Sequence, residues 1–261
     1  MKLGETVVIA SLQKIVILGL MQRFFVTQIE QEHAIFSPQQ AHQISVVLRM
    51  QLGQQVIVLD NLGWEYDAQL VEVGRKRVTA VISNKRPVTN EPACELTLFQ
   101  AMLKRDNFEW VLQKGTEIGV TRFVPVISER TVVKFKPNKI TRWRKIITEA
   151  AEQSGRGRLP ELTLPMSLDN AFMQIGASAL AVMPWVGATG TTMRSVMANQ
   201  ETFPNSIGVF IGPEGGFSED EVANGRSHSI IPITLGKRIL RAETAAVVAT
   251  ALVLQEETLR V

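Results

Sequence analysis

One run constrains the fold more than any other: within about thirty residues, from Leu96 to Ile127, the chain reads strand, helix, strand. Residues 96–103 form an apolar stretch of strand length. Asp106 then opens a helix, with Glu109 three residues on as a capping-box partner. Phe108, Val111, Leu112, Thr116 and Gly119 fall near one helical face, and residues 123–127 are strand-like again. Two strands joined through a helix lie parallel, so an α/β domain with a parallel sheet is expected. The later chain extends the pattern. A helix is expected over 138–154, with Ile140, Trp143, Ile147 and Ala150 on one face, and strands over 180–183, 207–211 and 230–235. A long helix over 242–258 closes the chain.

Residues 21–90 read differently. Short strands over 56–59, 66–73 and 78–82 are separated by turn signals, Asp60-Asn61-Leu62-Gly63 and Gly74-Arg75-Lys76-Arg77. One helix is expected over 37–50, and a linker over 85–92. This is the pattern of a small β-barrel. Residues 1–20 are too short and too polar for a membrane span of about 20 residues. Met21 reads as a fresh start, so 1–20 are expected to be an upstream extension, or else one extra element packed on the barrel. The expected organisation is therefore 1–20, a barrel over 21–90, and an α/β domain over 91–261.

Two loops carry the chemistry. Gly212-Pro213-Glu214-Gly215-Gly216-Phe217 follows a strand, where α/β domains bind ligands. Ser218-Glu219-Asp220-Glu221 then starts a helix with a capping box and an acidic first turn. Those carboxylates satisfy the positive end of the helix and repel phosphate, so a cationic, phosphate-poor cofactor fits better than a nucleotide triphosphate. The alternative is a plain tight turn into a capped helix. The second loop is Leu235-Gly236-Lys237-Arg238-Ile239-Leu240-Arg241, entering a helix with Ala242, Ala245, Ala246 and Ala249 on one side. Small residues let another element approach closely; an ordinary buried helix has the same look. Glu243 is a candidate acid or base, although a first-turn carboxylate serving the dipole is the simpler role.

Charge is concentrated. The chain has 28 Lys+Arg against 25 Asp+Glu, a net +3. Between Lys134 and Arg158 stand eight basic residues opposed only by Glu149 and Glu152, so the remainder of the chain is net acidic. A second cluster is Arg75-Lys76-Arg77 with Lys85-Arg86. Such patches suit a phosphate backbone, and also suit a solvated helix face. Trp64 and Tyr66 offer stacking rings, but the barrel is the simpler place for them; His42 reads as structural. One cysteine and three scattered histidines argue against a disulfide or a metal centre, and a reducing, cytoplasmic setting is expected.

Taken together, Gly212-Pro213-Glu214-Gly215-Gly216 and Leu235-Gly236-x-Arg238-Ile239-Leu240-Arg241-x-Glu243-Thr244-Ala245 resemble the RsmE family, SPOUT-class 16S ribosomal RNA uridine-N3 methyltransferases. Gln113-Lys114-x-Thr116-Glu117-x-Gly119-Val120, Ser128-Glu129-Arg130, Glu149-Ala150-Ala151-Glu152-Gln153-Ser154-Gly155-Arg156 and Val47-Leu48-Arg49-Met50 fit the same pattern. Asn61 departs from it, standing where glycine is common, and residues 1–20 have no counterpart. The resemblance implies a PUA-like N-terminal β-barrel and a parallel-sheet methyltransferase domain with a C-terminal trefoil knot. It also implies S-adenosylmethionine as cofactor, 16S ribosomal RNA of the small subunit as substrate, and a homodimer with neither membrane nor metal. The cofactor residues expected are Met183, Pro184, Ile211, Gly212, Gly215, Gly216, Leu235, Gly236, Ile239, Leu240 and Thr244. Arg241 is expected to stabilise a uridine anion, with Glu243 as the fallback base. The expected RNA contacts are Arg23, Arg49, Arg130, Arg142 and Arg156. A non-catalytic RNA-binding or ribosome-assembly protein is the rival from another class, and a SPOUT enzyme acting on another RNA is the second.

Overall fold

The computed structural model describes residues 21–175 and 179–259, so the expectation for residues 1–20 lies outside the described residues. The described residues divide into two compact units, 21–90 with 155–158, and 91–154 with 159–175 and 179–259.

The first unit is built on a six-stranded mixed sheet. Its strands are β1 (Arg23–Phe25), β2 (Gln28–Glu30), β3 (His33–Ile35), β4 (Gln55–Leu59), β5 (Trp64–Val73) and β6 (Val78–Pro87), in the order β1-β4-β5-β6-β3-β2. β1 runs parallel to β4, and the other pairs are antiparallel. The order forces the sheet to roll up. β1 and β2 stand at opposite ends of the ladder but are joined by only Val26 and Thr27. Laid flat, six strands would separate the edges by about 24 Å, whereas that connection reaches about 11 Å. Phe24, Phe36, Ile44, Val56, Val58 and Leu70 fill the inside, with Phe24 and Phe36 edge to face at 5.6 Å.

Three local expectations change here. The helix expected over 37–50 is α1 (Pro38–His42) followed by one π-helical turn, Gln43–Val47. Ser37 and Gln40 form a capping box at its start, and Arg49, at φ 52°, ends the helical path before Met50. The linker expected from residue 85 begins later, because β6 continues to Pro87 opposite Trp64. Arg86 holds this extension, pairing with Glu65 at 2.6 Å and Asp67 at 2.7 Å. Asn61 takes φ 62°, a conformation asparagine tolerates, and Asp60 Oδ1 accepts from the Leu62 and Trp64 N–H groups. The turn therefore closes without glycine at that position. Arg158, placed with the α/β domain by sequence, packs in the first unit and donates to the Leu62 carbonyl.

The second unit is a parallel sheet in the order β10-β8-β7-β12-β11-β13, with the short β9 (Glu161–Leu162) against β8. Its other strands are β7 (Glu95–Ala101), β8 (Arg122–Ile127), β10 (Met166–Ser167), β11 (Leu180–Pro184), β12 (Ser206–Ile211) and β13 (Ile231–Ile233). Every strand pair is parallel, as the strand–helix–strand reading requires. The helices are α2 (Asn107–Ile118), α3 (Lys139–Ser154), α4 (Leu168–Met173), α5 (Met193–Ala198), α6 (Glu219–Ser227) and α7 (Ala242–Thr258). One buried cluster joins α2, α3 and α7 to one face of the sheet; another, around Phe99, Phe172 and Phe210, lies under α4 and α6. The capping box expected at Asp106 does not form. Glu109 is buried and turns to α3 instead, accepting from Arg142 Nε and Nη2 at 2.9 and 2.7 Å. A buried carboxylate gains more from a guanidinium than from a backbone N–H already reachable by water. No described helix is long and apolar enough to cross a membrane.

Candidate active site

The three strands β12, β11 and β13 are neighbours, and their carboxyl ends open into one cavity of about 740 Å³. Ligands in open parallel sheets bind at such ends. β12 delivers Ile211 into the glycine loop, which turns back on itself through the Gly216 N–H to Pro213 carbonyl bond at 2.9 Å. A Cβ at Gly212 would lie 3.2 Å from the backbone of Gly216 and Phe217, so a side chain there would push the turn apart by a few tenths of an ångström. Ser218 then caps α6 in the expected capping box with Glu221.

β13 leads into the second loop. Gly236 has φ 108°, a region only glycine enters readily, and its N–H is held by Thr234 Oγ1 at 3.1 Å. The loop ends at Arg241, the N-cap of α7, whose side chain makes no cap bond. Between the two loops, the end of β11 and the residues after it supply Pro184, Trp185 and Val186, with the Trp185 N–H bound to the Ile233 carbonyl at 3.0 Å. Asn107, at the start of α2, closes the remaining side. The cavity is apolar at Ile211, Phe217, Leu235 and Leu240, acidic at Glu214 and Glu243, and basic at Lys237, Arg238 and Arg241. Such a lining suits a flat organic ligand gripped by backbone groups and apolar walls, with charge only at selected points.

Comparison with known proteins assigns this arrangement. Residues 89–254 match the family model for an RNA methyltransferase domain, and residues 46–83 match an RNA methyltransferase PUA domain. The chain is 35% identical to a ribosomal RNA small subunit methyltransferase E from Synechocystis over 81% of this chain and 69% of that one. It is 31% identical to the Bacillus subtilis protein of the same name, over 92% and 99% of the two chains.

The chain belongs to the ribosomal RNA small subunit methyltransferase E family.

Solved structures agree. A member of this family from Neisseria gonorrhoeae, bound to S-adenosylmethionine, superposes with a TM-score of 0.83 at 28% identity, covering 92% of this chain and 98% of that one. A putative methyltransferase from Legionella pneumophila, in complex with the same cofactor, gives 0.82 at 32% identity over 89% and 96%. The fold is therefore that of an RNA methyltransferase: a PUA-type mixed-sheet unit followed by a parallel-sheet α/β unit.

Against this family background, the residues singled out from the sequence fall into groups. Pro184, Ile211, Gly212, Gly215, Gly216, Leu235, Gly236, Ile239, Leu240, Arg241 and Glu243 all line the cavity. Met183 does not; it is fully buried beneath, with its methyl 3.3 Å from where a Gly225 Cβ would be. Thr244 also lies off the lining and is exposed, because the helical turn directs Ala242 and Ala245 inward instead. Asn107, Trp185 and Phe217 line the cavity and were not singled out. Phe217 directly follows the glycine motif, but Asn107 comes from a distant helix that carries no local signal of the site. Among the five arginines, Arg49 is exposed. Arg23 pairs with Glu65 at 2.7 Å, Arg142 is held by Glu109, and Arg156 is 4% exposed. Arg130 donates to the Gly215 carbonyl at 2.9 Å, on the glycine loop itself.

Proposed function

We propose that this chain transfers the methyl group of S-adenosylmethionine to N3 of a uridine in 16S ribosomal RNA of the small subunit. The convergence of both glycine loops and the end of β11 on one cavity carries this reading. The residues fit the cofactor. Ile211, Leu235, Leu240 and Phe217 offer apolar walls to an adenine, and Glu243 suits a sulfonium cation, which bears no phosphate. The turn at Gly212 is tight, with the place of a Cβ only 3.2 Å from the Gly216 and Phe217 backbone, so the loop keeps its own backbone close-packed beside the cavity. When bound, S-adenosylmethionine supplies an electrophilic methyl group. The reading includes a trefoil-knotted chain path at these loops, which the meeting of segments 212–217 and 235–241 on one cavity supports.

Uridine N3 carries a proton and becomes nucleophilic only once that proton leaves. Arg241 is exposed at the cavity with no cap bond to its own helix. In this reading it holds the negative charge that develops on the uracil ring. Glu243, half-buried on the cavity wall, is the alternative acceptor of the N3 proton. Arg49 is proposed to contact the RNA backbone. A homodimer is part of the reading: α7 is apolar on nearly every side, with Val247, Val248 and Ala251 outside its fully buried stripe. The proposed setting is the cytoplasm.

The test is a calorimetric titration of S-adenosylmethionine together with methyl transfer to small-subunit RNA. Wild-type chain is expected to bind one cofactor per subunit. Arg241→Ala is expected to lower kcat by at least about 100-fold, with cofactor Kd changed by no more than about twofold. Equal losses in both would place Arg241 in cofactor binding and remove it from the chemistry.

A further inference from the structure

The glycine loop is tied to its neighbours by side chains that family recognition alone does not explain. Glu214 lines the cavity, yet its Oε1 accepts the backbone N–H of Lys104, on the β7–α2 loop, at 2.9 Å. On the other side, Arg130 of the β8–α3 loop donates from Nη1 to the Gly215 carbonyl at 2.9 Å. Its stem lies against the loop as well: a Cβ at Gly215 would be 3.3 Å from Arg130 Cβ and 3.4 Å from its Cδ. One turn later, Glu221 Oε1 accepts from the Glu129 N–H at 2.7 Å, while Oε2 accepts from Ser218 N–H at 2.9 Å. The loop is thus clamped to the loops following β7 and β8, the next two strands in the sheet.

A loop containing three glycines loses much conformational freedom when it adopts one shape. Contacts that hold that shape before the ligand arrives reduce what binding must supply. We propose that Glu214 and Arg130 are positioning residues that preorganise the 212–216 loop for the cofactor. Glu214 acts as a hydrogen-bond acceptor rather than as a counter-charge, and Arg130 acts on the loop rather than on RNA. This rests on the cofactor reading above.

The experiment titrates S-adenosylmethionine into the full chain without RNA, for wild type, Glu214→Ala, Glu214→Gln, Arg130→Ala and Arg130→Lys. Each alanine variant is expected to raise Kd, and KM for the cofactor, by about five- to tenfold. Its kcat at saturating cofactor should stay within about twofold of wild type. Glu214→Gln keeps one acceptor oxygen and Arg130→Lys keeps stem and donor, so each is expected to recover most of the loss. Hydrogen exchange gives a readout independent of turnover: peptides covering 212–217 should exchange faster in the alanine variants, and those covering β12 should not. If Glu214→Gln binds as weakly as Glu214→Ala, the charge matters and the acceptor role is wrong. If Arg130→Ala leaves the RNA-free Kd unchanged and weakens only RNA binding, Arg130 is an RNA contact. If wild type binds no cofactor at all, the functional reading fails, and this proposal with it.

Discussion

Cys94 is walled off at the start of β7. It is buried, and Glu257 from the end of α7 accepts both its N–H and that of Ala93, at 2.9 and 2.8 Å. Burial, and next the nearby Glu257 carboxylate, push its thiol up to about 12 from an ordinary value of 9.0. The folded state therefore keeps a proton that the unfolded chain releases first. Stability from this group is complete below pH 9.0 and is lost as pH rises towards 12. Urea titrations between these limits should show a loss of up to about 1.4 kcal/mol per pH unit from this group, so the slope should be shallower in Cys94→Ala. The thiol should also resist a maleimide at neutral pH until the chain unfolds. Gly212 belongs to the same scale. Gly212→Ala must displace the Gly216–Phe217 backbone, and a strain of about 1–3 kcal/mol is expected. It should appear as weaker S-adenosylmethionine binding by calorimetry.

At the scale of elements, α7 is the piece whose composition says most. Ala246 and Ala249 are buried against the sheet and α2, and Thr250 returns its hydroxyl to the Ala246 carbonyl at 2.8 Å. Ala246, Ala249 and Thr250 are all shut off from solvent, so a larger side chain on that stripe must displace its neighbours. Ala249→Leu is expected to cost about 1–3 kcal/mol in urea unfolding through overpacking, whereas Ala251→Leu, on the exposed side, should cost little in the monomer. The pairing of α2 with α3 shows the reverse lesson. Asp106 and Glu109 have the spacing of a capping box, but none forms. Glu109 serves Arg142 and Lys139 instead, 33 and 30 residues away, because it is buried where α3 crosses.

Across the whole molecule, two units with different sheets serve one proposed reaction. The first is a rolled sheet of the PUA type, with exposed Arg49 held at φ 52° at the end of its helical turn. If Arg49 contacts a phosphate, Arg49→Ala should lower RNA affinity evenly across sequences. The slope of log K against log salt should fall by about one. An unchanged slope in filter binding would remove it from the RNA surface. The basic count between Lys134 and Arg158 is a poorer guide than it looks: Arg142 is occupied by Glu109, Arg156 is buried, and Arg158 packs beside the Asp60–Gly63 turn.

What the sequence alone determined is what short spacing determines. The alternation of strands and helices after residue 95, the Ser218–Glu221 capping box, both glycine loops and the Asp60 turn each depend on residues close to one another in the chain, whereas the order of the strands in the sheet, with β12 beside β7, does not. Family recognition rests on the same local motifs. Tertiary structure alone decided the rest. It brought Asn107 to the cavity, sent Glu109 across to another helix, and placed Gly155–Arg158 with the first unit. It also turned Arg130 onto Gly215, 85 positions later, and Glu214 onto Lys104, 110 positions earlier. A backbone N–H or a buried carboxylate takes the partner that packing brings within reach, and no local pattern encodes a partner that far along the chain.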